Sequence, residues 1–218
     1  MPAKPPRAPV TRDRALAAAV ELADANGIGA VTMRRLAQAL GVEAMSLYHH
    51  VSGKDDILDG MVDAVFAEVE IPADTDWRTA MAGRAHSMRA ALARHPWALG
   101  LMETRSQPGP ATLAHHEAVL RCLREAGFSL AATAHAFALL DAFIYGSAMQ
   151  EAQLPFETGE QTQELAAEVM STFPEGAYPY FQEFAIGHVM QPGYNFGDEF
   201  DFGLDLVLDG LARTAAAG

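Results

Sequence analysis

Apolar positions recur along this chain at intervals of three and four residues, with no sustained alternation, so the pattern predicts helices throughout. The first follows Thr11, a good N-cap, carries Leu16, Ala19, Val20 and Ala23 on one face, and stops at Gly27. Thr32 caps a second, whose Leu36, Ala37 and Leu40 point inward while Arg34, Arg35 and Gln38 face out. Gly41 supplies a tight turn into a third helix anchored by Val42 and Leu47. That leaves Ala44, Met45, Ser46, Tyr48 and His49 on or near its outward face. Ser52 and Asp55 have the spacing of a capping box for a fourth helix over 54–69. Beyond a break at 71–76, helices are expected over 77–95, over 97–103, over 110–126 with Pro110 in the first turn, and over 129–153. A polar loop over 154–163 precedes helical segments over 164–171, 178–190 and 197–212. The expected fold class is all-α.

Two short helices joined by a glycine turn, followed by a lysine that opens the next helix, form a unit whose second helix enters a DNA major groove. The net charge of −13 argues at first against a polyanionic partner. Its distribution reverses that reading. Residues 1–54 hold seven basic and four acidic groups, a charge of +3, whereas the remaining residues carry −16. A basic head on an acidic body is the simplest description. Residues 1–10, with four prolines and two basic groups, are expected to form a disordered arm. The helix-turn-helix domain with its connecting helix is expected over 11–70, and a helical body over 71–218. There is no run of about 18 apolar residues and no apolar signal core, so neither a membrane partner nor secretion is expected. The single cysteine, Cys122, reads as a small core residue in a protein of the reducing cytoplasm.

In the body, His115, His116 and Glu117 are adjacent and tempt a metal reading. Neighbours on a helix point about 100° apart, so the three do not converge on one ion, and His116 is better placed at a pocket edge. No metal or cofactor is expected. A ligand cavity would draw on Trp97, Met102, His116, Phe137, Asp141, Tyr145 and Met149. Four of these recur every fourth residue on the longest helix, setting an acid and a phenol in an apolar stripe. The same stripe also suits a core or a dimer seam. Asp141 separates the two readings, because a carboxylate in a dry seam needs a partner. Near the C-terminus, Phe200, Leu204, Val207, Leu208 and Leu211 form one apolar stripe, the expected dimerisation face.

Residues 15–65, ALAAAVELADANGIGAVTMRRLAQALGVEAMSLYHHVSGKDDILDGMVDAV, closely resemble the head of the tetracycline-repressor (TetR) family of bacterial transcription regulators. The body is similar to that family's C-terminal domain through DWR at 76–78, HPW at 95–97, LLDAFIYG at 139–146 and FDFGLDLVLDGL at 200–211. The resemblance implies a homodimer held by a four-helix bundle, here of 129–153 and 197–212, with a ligand cavity in each subunit. It also implies that Arg34 and Lys54 contact phosphates, and that Thr32, Ala44, Met45, Ser46, Tyr48, His49 and His50 lie against the groove or its walls. His49 and His50 are equally compatible with ordinary exposed histidines. Tyr48 and Ser46 offer hydroxyls to phosphate oxygens, while Ala44 and Met45 make only apolar contacts, such as to thymine methyls. The family's drug and magnesium site is not carried over. The expected function is a ligand-responsive regulator, a repressor released from a two-fold symmetric DNA operator by a small organic effector. The rivals are an activator of the same family, or a helical carrier or enzyme with an incidental helix-turn-helix. The enzyme reading lacks a nucleophile with a matched base, zinc spacing or a phosphate loop.

Overall fold

The computed structural model describes residues 9–105, 107–156 and 158–215. Of the expected arm only Pro9 and Val10 fall among them. Eleven α-helices follow in order, with no strand among the described residues: α1 (Arg12–Asn26), α2 (Met33–Leu40), α3 (Ala44–Leu47), α4 (Lys54–Ala67), α5 (Trp77–Arg94), α6 (Ala98–Met102), α7 (Pro110–Glu125), α8 (Leu130–Gln153), α9 (Gly159–Ser171), α10 (Pro179–Phe184) and α11 (Glu199–Ala215). They form two compact units, Met1–Ala148 and Met149–Gly218.

The first unit is built around α4, which packs on α1, α5, α6 and α7. On α1 the buried positions are Ala15, Ala19 and Ala23, a ridge of methyl groups that lets neighbouring helices approach closely. Leu16, expected to lead that face, lies at its edge against Gly60 of α4, where an added Cβ would fall 2.5 Å from the Leu16 Cδ2. Leu36, Leu47, Val51, Ile57 and Met61 close the small core of the head, each 3% exposed or less. A side chain buried this fully contributes about 1.5–3 kcal/mol.

Helix boundaries follow from local chemistry. The Thr11 hydroxyl accepts from the Arg14 N–H and Thr32 from the Arg35 N–H, 3.2 Å each. Asp76 caps α5 by accepting from the Arg78 and Thr79 N–H groups. The expected Ser52–Asp55 capping box is not formed. Gly53 is the N-cap of α4 without a side-chain bond, and it is Asp56, one residue further on, that accepts from the Ser52 N–H at 2.9 Å and pairs with Arg12 at 2.8 Å. That guanidinium holds the Asp56 carboxyl below its ordinary range, with the Ser52 N–H adding to the effect.

In the second unit the expected polar loop is shorter. Thr158 and Gln161 make a true capping box, so α9 begins at Gly159 rather than near 164. α10 opens with Pro179 in its first turn and continues into a π-helical turn, Ala185–Val189. Phe200, Leu204, Leu208 and Leu211 of α11 are buried within the single chain, and Val207 is half-buried. This corrects the expectation that the stripe is an open dimerisation face. The large apolar side chains that α11 leaves exposed are Phe202 and Leu206, at 67% and 57%. The periodicity located the buried side of the helix, and the chain itself already covers that side.

Replacing Thr32 by Ala removes the cap of α2 and is expected to lower unfolding free energy by about 1 kcal/mol in urea denaturation, while Thr32→Ser stays near the parent. Equal stability of Thr32→Ala would show that the cap contributes nothing.

Candidate DNA-reading face and effector cavity

Gly41 ends α2 in the left-handed region, φ 70° and ψ 38°, and so turns the chain sharply into α3. The buried Leu47 and Val51 then fix which side of α3 faces away from the head. On that side stand Met45, 73% exposed, and Tyr48, 49% exposed, with His49 and His50 also exposed and Ala44 and Ser46 half-buried. Thr32, Arg34 and Lys54 are exposed at the helix starts on either side. The helix is shorter than expected. α3 ends at Leu47, and Tyr48, His49 and His50 sit in turns closed by the bonds from His50 N–H and Val51 N–H to the Leu47 carbonyl, at 2.8 and 3.0 Å. All nine residues expected to meet DNA lie within 23 positions of sequence, and seven of them are exposed.

α4 links this face to a cavity of about 300 Å³. Its walls are Asp59, Val62 and Phe66 of α4, Met102, Glu103 and Arg105 around the end of α6, Thr112 and His116 of α7, and Phe137, Asp141 and Tyr145 of α8. Five of the seven expected ligand residues are there: Met102, His116, Phe137, Asp141 and Tyr145. Trp97 is not. It is buried elsewhere, its indole N–H donating to Asp24 at 2.6 Å beside His95, which bridges Asp24 and Glu68. Met149 is not either. Steps of four residues drift by about 40° around a helix, so three of them carry Met149 about 120° from Phe137, and it is half exposed.

Arg84 of α5, which sequence reasoning passed over, organises the site. Its side chain has no exposure. It forms an ion pair with Asp141, and its Nε–H donates to His115 Nε2 at 3.0 Å. That bond makes Nε2 the acceptor, so the proton of neutral His115 is on Nδ1, which is buried without a partner among the described residues, as is Arg84 Nη1. Burial first, then Arg84 and His116, push the His115 pKa down to about 3. Burial also lowers that of His116, against the pull of Asp141, and raises that of the Tyr145 phenol, with Asp141 adding to it. His115 and His116 diverge, as adjacent helix residues must: the first turns to Arg84, the second to the Phe137 ring at 5.3 Å, with Phe66 packed against both.

The same α4 that starts at Lys54 is held along its length. Arg105 donates to Asp59 at 2.6 Å and pairs with Asp55 at 3.1 Å, and the Thr112 N–H and hydroxyl donate to Asp63 at 2.8 and 2.9 Å. A larger depression, about 580 Å³, lies between the 71–77 segment and the end of α7 at Cys122 and Glu125. The smaller cavity is the better site because helices wall it and a fixed charged group lies at its edge. The half-buried Cys122 thiol has its pKa raised by burial, which leaves it unreactive.

His115 sets a pH dependence. The unfolded chain takes up its proton below the ordinary value of 6.5 and the folded chain only near 3, so stability from this group is complete above 6.5 and falls as pH drops. Thermal melts between pH 6.5 and 5, above the range where most carboxylates titrate, are expected to show a falling Tm, and His115→Gln to flatten the fall. An unchanged slope in the variant would assign the dependence elsewhere.

Comparison with known proteins agrees with this geometry. Residues 15–61 match the pattern of bacterial regulatory proteins of the tetR family, and residues 71–215 that of the tetracyclin repressor-like C-terminal domain. An HTH-type transcriptional regulator of Saccharopolyspora erythraea is 36% identical over 94% of this chain and 86% of its own length. The HTH-type transcriptional repressor DrrR1 of Streptomyces coeruleorubidus is 35% identical over 99% of this chain and 82% of its own. The crystal structure of ActR from Streptomyces coelicolor, also solved with actinorhodin, superposes with a TM-score of 0.79 at 27% identity, covering 96% of this chain and 98% of that one. With its exposed helix-turn-helix, its α4 strut and both patterns matched, the chain belongs to the tetR family of bacterial regulatory proteins.

Proposed function

We propose that two copies of this chain form a cytoplasmic transcriptional repressor that grips a two-fold symmetric operator and lets go when a small organic molecule fills the cavity walled by Phe137, Asp141 and Tyr145. One observation carries the reading: a single helix, α4, begins at Lys54, six residues after the exposed Tyr48, and forms, through Asp59, Val62 and Phe66, a wall of the cavity. A ligand that fits a different spacing of α4 from α7 and α8 moves the helix-turn-helix with it, shifting the population away from the DNA-competent state. Coupling of about 1–3 kcal/mol, usual for such devices, changes operator affinity roughly 5- to 150-fold. The repressor named among its relatives, and the relative crystallised with a small molecule, support the sign of regulation and a small-molecule effector.

At the DNA, Arg34 and Lys54 neutralise phosphates, while the hydroxyls of Thr32, Ser46 and Tyr48 donate to phosphate oxygens and Ala44 and Met45 meet base methyls. His49 and His50 border the groove. No chemistry is needed in this scheme, only binding, and the body needs no metal. The dimer is closed by the exposed side of α11, Phe202 and Leu206, rather than by its buried stripe.

Selection of bound fragments from random duplex DNA tests the function as a whole. The expected product is a pair of inverted half-sites about one helical turn apart, and recovery of no enriched sequence would overturn the reading. Lys54→Ala is expected to weaken binding to all duplexes alike and to reduce the salt slope by about one phosphate. An unaltered slope would remove Lys54 from the backbone contacts. Phe202→Asp combined with Leu206→Asp is expected to yield folded monomers in sedimentation and to lose most operator affinity. A dimer that persists would place the seam on another face.

A further inference from the structure

We propose that the cavity selects an aromatic molecule carrying a protonated amine, with the ring between Phe66, Phe137 and Tyr145 and the ammonium on the free oxygen of Asp141. The inference rests on the reading of this cavity as the effector site and names the chemistry that site takes. Asp141 gives one oxygen, Oδ1, to Arg84, and its other oxygen has no partner among the described residues. Arg84 does not reach the cavity surface, whereas the Asp141 side chain is 15% exposed there. The ion pair therefore presents its acceptor end to a ligand and hides its donor end. An acceptor held in place by a buried guanidinium is oriented before the ligand arrives.

The surrounding charge has the same sign. Three carboxylates, Asp59, Glu103 and Asp141, line the cavity, against one guanidinium among the described residues, Arg105. Arg105 is itself spanned by Asp59 and by Asp55 behind it. His116 adds no positive charge near neutral pH, because burial holds it unprotonated. The aromatic walls complete the selection. The faces of Phe137 and Tyr145 attract a cation as well as a flat ring, and the Tyr145 hydroxyl, with no partner among the described residues, offers a second oxygen. A carboxylate ligand would meet like charge and only neutral donors, the Tyr145 hydroxyl, the Gln107 amide and the remaining N–H of His116, with no unpaired cation to receive it among the described residues.

Calorimetry on the full-length protein with three matched probes, naphthylmethylammonium, naphthylmethanol and naphthoate, tests this. The ammonium is expected to bind about tenfold or more tightly than the alcohol, the worth of a charge-assisted hydrogen bond, and naphthoate weakest. Asp141→Asn should erase the difference between ammonium and alcohol. Because that change also strips Arg84 of its partner, Glu103→Gln at an exposed position provides a second variant, expected to narrow the same gap. If alcohol or naphthoate binds as well as the ammonium, and Phe137→Trp still blocks all three, the cavity stands and the charge selection is overturned. If no probe binds, or Phe137→Trp blocks none, the effector site itself is misassigned and the inference falls with it.

Discussion

A guanidinium with no access to water must find its counter-charge inside the protein. Arg84 finds it in Asp141, with His115 taking a further N–H, and the result joins α5, α7 and α8 at one point. Removing one partner of such a buried pair costs about 3–5 kcal/mol, because the other charge is left stranded. The pair is therefore a poor way to gain stability and a good way to hold one carboxylate oxygen in one place. Burial is the first cause of the downward histidine shifts, and the Arg84 charge adds to it. Beside a permanent cation and out of water, His115 stays neutral, and so does His116 at the cavity edge.

From that point the geometry runs outward through α4. Phe66 and Val62 touch the cavity, Asp59 and Asp63 receive Arg105 and Thr112, and Lys54 stands at the edge of the exposed helix-turn-helix. A helix is stiff over this length, so a displacement at Phe66 is not absorbed before it reaches Lys54. Arg12 adds a tie from the start of α1 to Asp56, although this pair is exposed and contributes little on its own. The basic residues of the head and the acidic lining of the cavity serve opposite ends of one strut.

Much of this was legible in the residues. Thr32, Gly41 and Leu47 each have one local job, and a cap, a left-handed turn and a buried anchor are found where the pattern put them. Of the stripe expected on α8, Phe137, Asp141 and Tyr145 line the cavity because two steps of four residues stay on one face, and Met149 does not because three leave it. Arg84 was missed since, as one of four arginines in an alanine-rich helix, it reads as part of a solvated face. The signal was its register: with Ala80, Met81, Met88 and Ala91 it shares the buried side of α5. Trp97 looked like a cavity residue by type and is instead tied to Asp24, a contact 73 residues apart that no local pattern carries. The stripe from Phe200 to Leu211 shows the remaining ambiguity, since periodicity tells which side of a helix is buried but not whether its own chain or a second copy buries it.

The central claim is that the cavity and the DNA-reading face are two ends of one equilibrium, and linkage tests it directly. Affinity for a small aromatic ligand of the cavity is measured by calorimetry with and without saturating operator duplex. Saturating duplex should weaken the ligand by the same factor by which the ligand weakens the duplex. Ligand affinity that is identical with and without bound DNA would contradict the account.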